Sequence, residues 1–397
     1  MSSSSSAPRR APLDACTGLR FLAAMGVVGY HFYCPPCEPG APTFLGNLFQ
    51  AGFTTVSLFF VLSGFILAYN YLDDRGGFVG TKRDFYRARF ARIYPIYLLA
   101  LVVDVPFFIR SIQMIEPAAT AGEVARISLT TLTLTQAWLE LGRPTWNIMA
   151  WTLSAEAFFY LLFPLVGPWL ARQGTRRLLA VAVGTWLLGT TPFIAGAAVS
   201  WWGLEGSTSL LGSGLRAFGQ LPAQLIPVTR LPEFIVGICL GLLFCRRTQA
   251  GRVAVRTAGL LATGAVLVTL IVLLPPKPSP VVQMGLLVPL FALSIWLLAG
   301  GVAWKGMLLG TRPLVLLGGA SYALYLTHGT MMGYALALNT RTLALPHNGV
   351  ALLLVPVAIA CSLVLFKAVE EPGREWLRRI GRARPADVPA TGSVSRS

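Results

Sequence analysis

Three ionisable side chains sit inside long apolar runs of this sequence: His31, Glu156 and His328. An ionisable group within a membrane span costs at least about 2.5 kcal/mol, so it points to function by default. His31 follows Arg20 by 11 residues. Eleven residues make three helical turns, about 16 Å of rise, so both side chains project from one face. Imidazole is the side chain best suited to exchange protons near pH 7, which makes His31 a candidate general base. The competing role is a neutral imidazole bonded to a neighbouring helix. Glu156 stands in WTLSAEAFFYLLFP, with Ser154 close by and Tyr160 one turn on. A buried carboxylate needs a partner or must become neutral. Glu156 could orient an imidazole or a substrate hydroxyl, or form a Glu–Arg bridge between helices. Ser321, Tyr325 and His328 fall at i, i+4 and i+7 and share a helix face. That stripe is either part of a site or hydrogen-bonding glue between helices.

The densest basic stretch is KRDFYRARFARIYPIY, expected in an inner loop. Its Arg89 and Arg92 are three apart and share a face on a helix. Two forked guanidiniums side by side suit a phosphate or pyrophosphate. The competing role is a topogenic cluster touching anionic lipid heads. His347, beside Pro346, reads as a solvated outer-loop residue. Cys34 and Cys37 follow His31 closely, but a zinc site would need a fourth ligand and no second Cys/His pair is evident, so no metal is expected. A short disulfide or two inert thiols is the expectation for that pair.

The elements that must carry these residues follow from composition. The 397 residues are 55% hydrophobic and only 12% charged, with a mean hydropathy of +0.65. An ordinary soluble domain carries about 25% charged residues. A cytosolic globular enzyme and a disordered chain are both excluded by this balance. A bilayer core needs about 20 helical residues. Ten segments qualify: 19–37, 51–72, 93–112, 147–170, 178–199, 231–245, 257–274, 281–300, 314–338 and 349–369. The Thr-rich stretch 127–142 reads as an interfacial or loop helix; as an eleventh span it would invert everything after it. With the N-terminus inside and ten crossings, 25 of the 32 Lys and Arg fall on the inner side, as the positive-inside rule requires. The net charge of +16 is thereby explained without nucleic acid. The expected protein is all-α and polytopic, with about ten transmembrane helices and both termini cytoplasmic, in the cell membrane. Residues 13–380 form one transmembrane domain between disordered tails at 1–12 and 381–397.

The motifs, taken in order, resemble the membrane-bound acyltransferases of the acyltransferase-3 type over roughly residues 13–380. TGLRFLAAMGVVGYHF is similar to that family's first helix, with an Arg, ten residues and a His. GFTTVSLFFVLSGFILAYN resembles its second, and FYRARFARIYPIY its Arg-x-x-Arg segment followed by Ile-x-Pro-x-Tyr. WTLSAEAFFYLLFP resembles its Trp-Ser-Leu-Ser-x-Glu helix, with Thr152 in place of Ser. RLPEFIVGICLG, SYALYLTH and VEEPGREWLRR follow in the family's order. Many members carry Asp three residues before the first-helix Arg, where this chain has Thr17; the nearest acid is Asp14, so the partner of Arg20 stays open. The Thr-Gly-Leu-Arg form is similar to that of actinomycete macrolide O-acyltransferases.

The resemblance implies transfer of an acyl group, often acetyl, from acyl-CoA as co-substrate to a hydroxyl of a sugar, glycolipid or macrolide. No bound cofactor is implied. Antibiotic biosynthesis and cell-envelope carbohydrate modification both fit. It further implies Arg89 and Arg92 on the CoA phosphates and His31 as base, with Arg20 and Glu156 beside it. Ser63, Tyr325 and His328 become supporting residues, and Arg20, Ser63 or Tyr325 candidates to stabilise the oxyanion. Direct transfer and an acyl-imidazole intermediate on His31 are both open. The competing class is a proton-coupled transporter, although the paired repeats of transporters are not found.

Overall fold

The structure, a computed structural model, describes residues 10–33, 43–73, 76–140, 146–201, 225–247, 252–273, 285–303, 308–340, 342 and 344–379. Cys34, Cys37, residues 1–9 and residues 380–397 lie outside the described residues, and with them the expectations for that Cys pair and for most of the tails. Among the described residues the regular elements are helices: α1 (Asp14–Phe32), α2 (Thr43–Gln50), α3 (Thr55–Tyr71), α4 (Lys82–Ile115), α5 (Ala121–Leu132), α6 (Gln136–Leu139), α7 (Trp151–Ala171) and α8 (Thr175–Trp201). They continue with α9 (Pro227–Arg246), α10 (Val253–Leu273), α11 (Val288–Ala299), α12 (Arg312–Asn339), α13 (His347–Leu365) and α14 (Glu371–Arg379). The chain is an all-α polytopic membrane protein.

Every one of the ten apolar segments is occupied by a helix. Seven helices among the described residues are long and apolar enough to cross a bilayer by length and composition. The segments that fall short are α1, α11 and α12, for different reasons. α11 has only 12 residues. α1 carries Asp14, Arg20 and His31, and α12 carries glycines, Ser321, His328 and several threonines and tyrosines. These two pack against each other in the interior, so their sides meet protein rather than lipid. α10 is the opposite case: its most apolar stretch is almost wholly uncovered by protein, as a lipid-facing helix must be. The Thr-rich stretch becomes α5 and α6, two short pieces and no span. α5 begins with a capping box, Thr120 and Glu123 bonding each other's backbone amides.

The basic stretch expected as a loop is helical from Lys82 onward. Thr81 caps that start by accepting from the Asp84 amide at 3.0 Å. α4 then runs through Pro95 and Pro106 to Ile115. Arg89 and Arg92 therefore stand on a rigid element continuous with a membrane span.

The helices that frame the interior cross closely. A Cβ on Gly64 of α3 would lie 2.2 Å from the Phe234 carbonyl oxygen, and one on Gly237 of α9 would lie 2.1 Å from that of Val61. Small residues let membrane helices approach backbone to backbone, where van der Waals packing replaces the missing hydrophobic drive. Gly64→Val is expected to cost at least about 1–3 kcal/mol, the range for overpacking, read as a lower melting temperature in detergent. Gly264→Ala, with open space around its Cβ, serves as the control and should not lower it.

Candidate active site

The arginines expected to bind phosphate come together with the first-helix arginine. Arg20 of α1 and Arg89 and Arg92 of α4 line one cavity. Among the described residues, none of the three forms an ion pair. Arg89 donates to the Tyr71 hydroxyl at 3.3 Å and lies over the rings of Tyr71, Phe85 and Tyr160 at 5.5 to 5.9 Å. Its Nε is buried without a hydrogen-bond partner. Cations withdrawn from water in this way call for a negatively charged occupant.

Glu156 of α7 is the one carboxylate on the cavity wall among the described residues. It accepts from the Tyr160 hydroxyl at 2.6 Å and from Ser63 of α3 at 3.5 Å. The Glu–Arg bridge considered for Glu156 does not form among the described residues. Glu156 instead faces the cavity between two hydroxyls. The wall also carries aromatic rings, those of Phe59, Phe60 and Tyr325. Tyr325 and Ser321 of α12 both reach the cavity, as their shared face requires.

The two site histidines stand apart from this wall. His31 and His328 are not among its lining residues. They meet each other, with His328 Nε2 3.1 Å from His31 Nδ1. The Tyr325 ring, which lines the cavity, lies 6.0 Å from the His328 ring, centroid to centroid. Tyr325 therefore separates the cavity from the imidazole pair by one side chain. Asn147 fixes this end of the site: it caps the turn before α7 through the Met149 amide and donates to Leu326 of α12 at 3.1 Å. His347, expected to be solvated, instead lies with Nε2 3.0 Å from the Phe32 carbonyl and ties α13 to the end of α1.

Sequence reasoning missed several members. Thr152, Tyr160 and Tyr322 line the cavity; Tyr160 was legible as one turn from Glu156, but Tyr322 looked like any aromatic in an apolar helix. Glu370 was also missed. It is 1% exposed and sits at the end of a π-helical turn, Phe366–Glu370, with Arg374 at 3.5 Å. Such turns insert a residue and re-aim the side chains after it, often at functional sites. Nothing in the letters FKAVE announces it.

Arg230, one of the Lys and Arg outside the inner-side count, is not a surface charge: it is 0% exposed within α9. It donates to Glu233 at 2.8 Å, and Ser57 of α3 donates to the same Glu233 oxygen at 2.8 Å. The rings of Phe53, Phe60 and Trp151 cover its guanidinium at 5.6 to 5.9 Å. The signal was present: Arg and Glu three apart in an otherwise apolar helix. This pair is a buried structural ion pair whose bonds converge on one Glu233 oxygen, beside Phe60 of the cavity wall.

A family model of acyltransferase domains, the acyltransferase-3 type, matches residues 13–367. The chain belongs to this family. It is 32% identical to the acyltransferase MdmB of Streptomyces mycarofaciens over 97% of this chain and 97% of that protein. A segment is 38% identical to "Protein 2 in picA locus" of Rhizobium radiobacter, over 23% of this chain and 44% of that protein. No solved structure matches the chain. Membership favours an enzyme over the transporter.

The buried Arg230–Glu233 pair makes a prediction of its own. Arg230→Met should destabilise the protein by about 3–5 kcal/mol, because it strands the Glu233 charge in the interior. Arg230→Met with Glu233→Leu should recover much of that loss. Thermal unfolding in detergent of both variants checks this; equal losses would show that the ion pair is not what stabilises this corner.

Proposed function

We propose that this acyltransferase moves an acyl group, acetyl in the simplest case, from acyl-CoA to a hydroxyl of a sugar-bearing or macrolide-type acceptor. The observation that supports this reading is the set of three guanidiniums, without ion pairs among the described residues, around one cavity whose other lining is largely apolar and aromatic. Acyl-CoA has the matching form: phosphates at one end, a long neutral arm, and a thioester at the other. Arg89 and Arg92 take the phosphates. Arg20 shares that charge near the base of the cavity. The excess of inner-side Lys and Arg supports a cytoplasmic position for this end, where CoA is found, with the protein in the cell membrane.

The thioester then points along the cavity toward Tyr325, past Ser63 and Glu156. His31 is about 16 Å of helix rise from Arg20, at the far end of this path. In the reaction the acceptor oxygen attacks the thioester carbonyl while His31 takes its proton. The carbon–sulfur bond breaks and the thiolate receives that proton. Holding donor and acceptor in line supplies much of the rate. Tyr325 must turn aside or donate to the developing oxyanion for the two halves to meet. The resemblance of the first helix to macrolide O-acyltransferases supports an acceptor of that kind, and mass spectrometry of metabolites and envelope glycans with and without the gene identifies it by a lost acyl mass.

Two outcomes test the assignments. His31→Ala is expected to lose at least about 10²-fold in turnover, the contribution of a general base, while the protein still inserts and elutes as a folded particle. Labelled acetyl-CoA followed into product measures this, and normal turnover removes His31 from the reaction. Arg89→Ala with Arg92→Ala is expected to raise KM for acetyl-CoA at least about tenfold, the loss of charge-assisted phosphate bonds, with KM for acceptor little changed. An unchanged acetyl-CoA dependence returns both arginines to topology and lipid contact.

A further inference from the structure

The imidazole pair is held by groups that decide where its protons sit. A carbonyl oxygen can only accept a hydrogen bond. His328 Nδ1 lies 3.2 Å from the Leu324 carbonyl oxygen, so that nitrogen carries the proton and Nε2 presents a lone pair. The lone pair faces His31 Nδ1 at 3.1 Å. His31 Nδ1 also lies 2.9 Å from the Val27 carbonyl oxygen. Both neighbours of that nitrogen accept, so it must donate. The lone pair of His31 is thereby left on Nε2, which has no hydrogen-bond partner among the described residues.

We infer that His328 is a positioning residue that holds His31 in the one tautomer whose Nε2 can act as the base. This rests on the reading of His31 as the group that accepts the acceptor's proton. When Nε2 takes that proton, His31 carries hydrogen on both nitrogens, and its bond to His328 Nε2 becomes charge-assisted and stronger. As the carbon–sulfur bond breaks, the proton passes from Nε2 to the thiolate, and the starting tautomer returns. Atoms and charge balance without any further group. A buried carboxylate performs the same orienting task in hydrolytic triads. Here a neutral imidazole does it, which avoids a second charge in an apolar interior. His328 suits the task because it is itself immobile. It is 0% exposed, and the rings of Phe32 and Tyr325 each lie 6.0 Å from it. Tyr325 belongs to the cavity wall, so the orienting group touches the side chain that divides donor from base.

The test uses the full chain in detergent, with labelled acetyl-CoA as donor and an extract of the producing cells as source of acceptor. His328→Leu removes the accepting lone pair at similar volume. It is expected to lower kcat at least about tenfold, part of the effect of a general base, with KM for acetyl-CoA unchanged. His328→Gln can still present an accepting oxygen to His31 Nδ1 and should recover a large part of that loss. Should His328→Leu fail to accumulate, His328→Asn, whose shorter amide cannot reach His31, makes the same comparison against Gln. Equal losses in the Gln and Leu (or Asn) variants, tracking their melting temperatures, would overturn the inference and leave His328 as packing. Wild-type turnover in His328→Leu would overturn it as well. Full activity in His31→Ala is a different result: it removes the base itself, and the positioning role with it.

Discussion

A guanidinium inside an apolar membrane protein is held at a large cost in hydration, and that cost organises this molecule. Arg20, Arg89 and Arg92 meet around one cavity without ion pairs among the described residues. Aromatic faces and the Tyr71 hydroxyl hold Arg89, and the negative charges of Glu156 and Glu370 act on Arg20 and Arg92 without pairing with them. Such an arrangement is stable enough to fold and unsatisfied enough to bind an anion. The placement of the helices follows: α1 and α12, too polar to face lipid, take the centre, while apolar helices such as α10 take the outside.

The contrast with Arg230 shows why the cluster reads as a site. Arg230 is more deeply buried than the half-buried cavity arginines, and Glu233 and Ser57 sit within bonding distance of one another and of it, under three aromatic rings. That network faces the back of the wall and serves the packing of α9 on α3. The cavity arginines line open space and, among the described residues, form no ion pair even with Glu156 on the same wall. The same residue type thus does two kinds of work, and pairing distinguishes them.

The imidazoles add a third environment. His31 and His328 share a hydrogen bond one side chain beyond the cavity. Backbone carbonyls of their own helices, four residues back in each case, take the remaining Nδ1 contacts. The own-helix carbonyls and the His328 lone pair act together on His31 Nδ1, and the crossing of α1 with α12 brings the two rings together. Between the imidazoles and the guanidiniums stands Tyr325, so the two ends of the site are chemically distinct.

Much of this was legible in the letters. Ten apolar stretches became helices because burying that much apolar surface in lipid demands satisfied backbone bonds, which only helices supply among these patterns. The Arg20–His31 and Arg89–Arg92 spacings reported faces of single helices, and local periodicity is a property of sequence. What sequence could not decide was which faces meet. The long helix from Lys82, rather than a loop, depended on a cap and on packing of Gly373 against Pro95. The histidine pair spans 297 residues of chain, the Arg230 bridge joins α9 to α3 over 173, and Glu370 is aimed by a π-turn that no residue type requires. Periodicity fixes direction around one axis, whereas partnership depends on how axes cross, and crossing is decided only when glycine contacts such as Gly64 on Gly237 bring the backbones together.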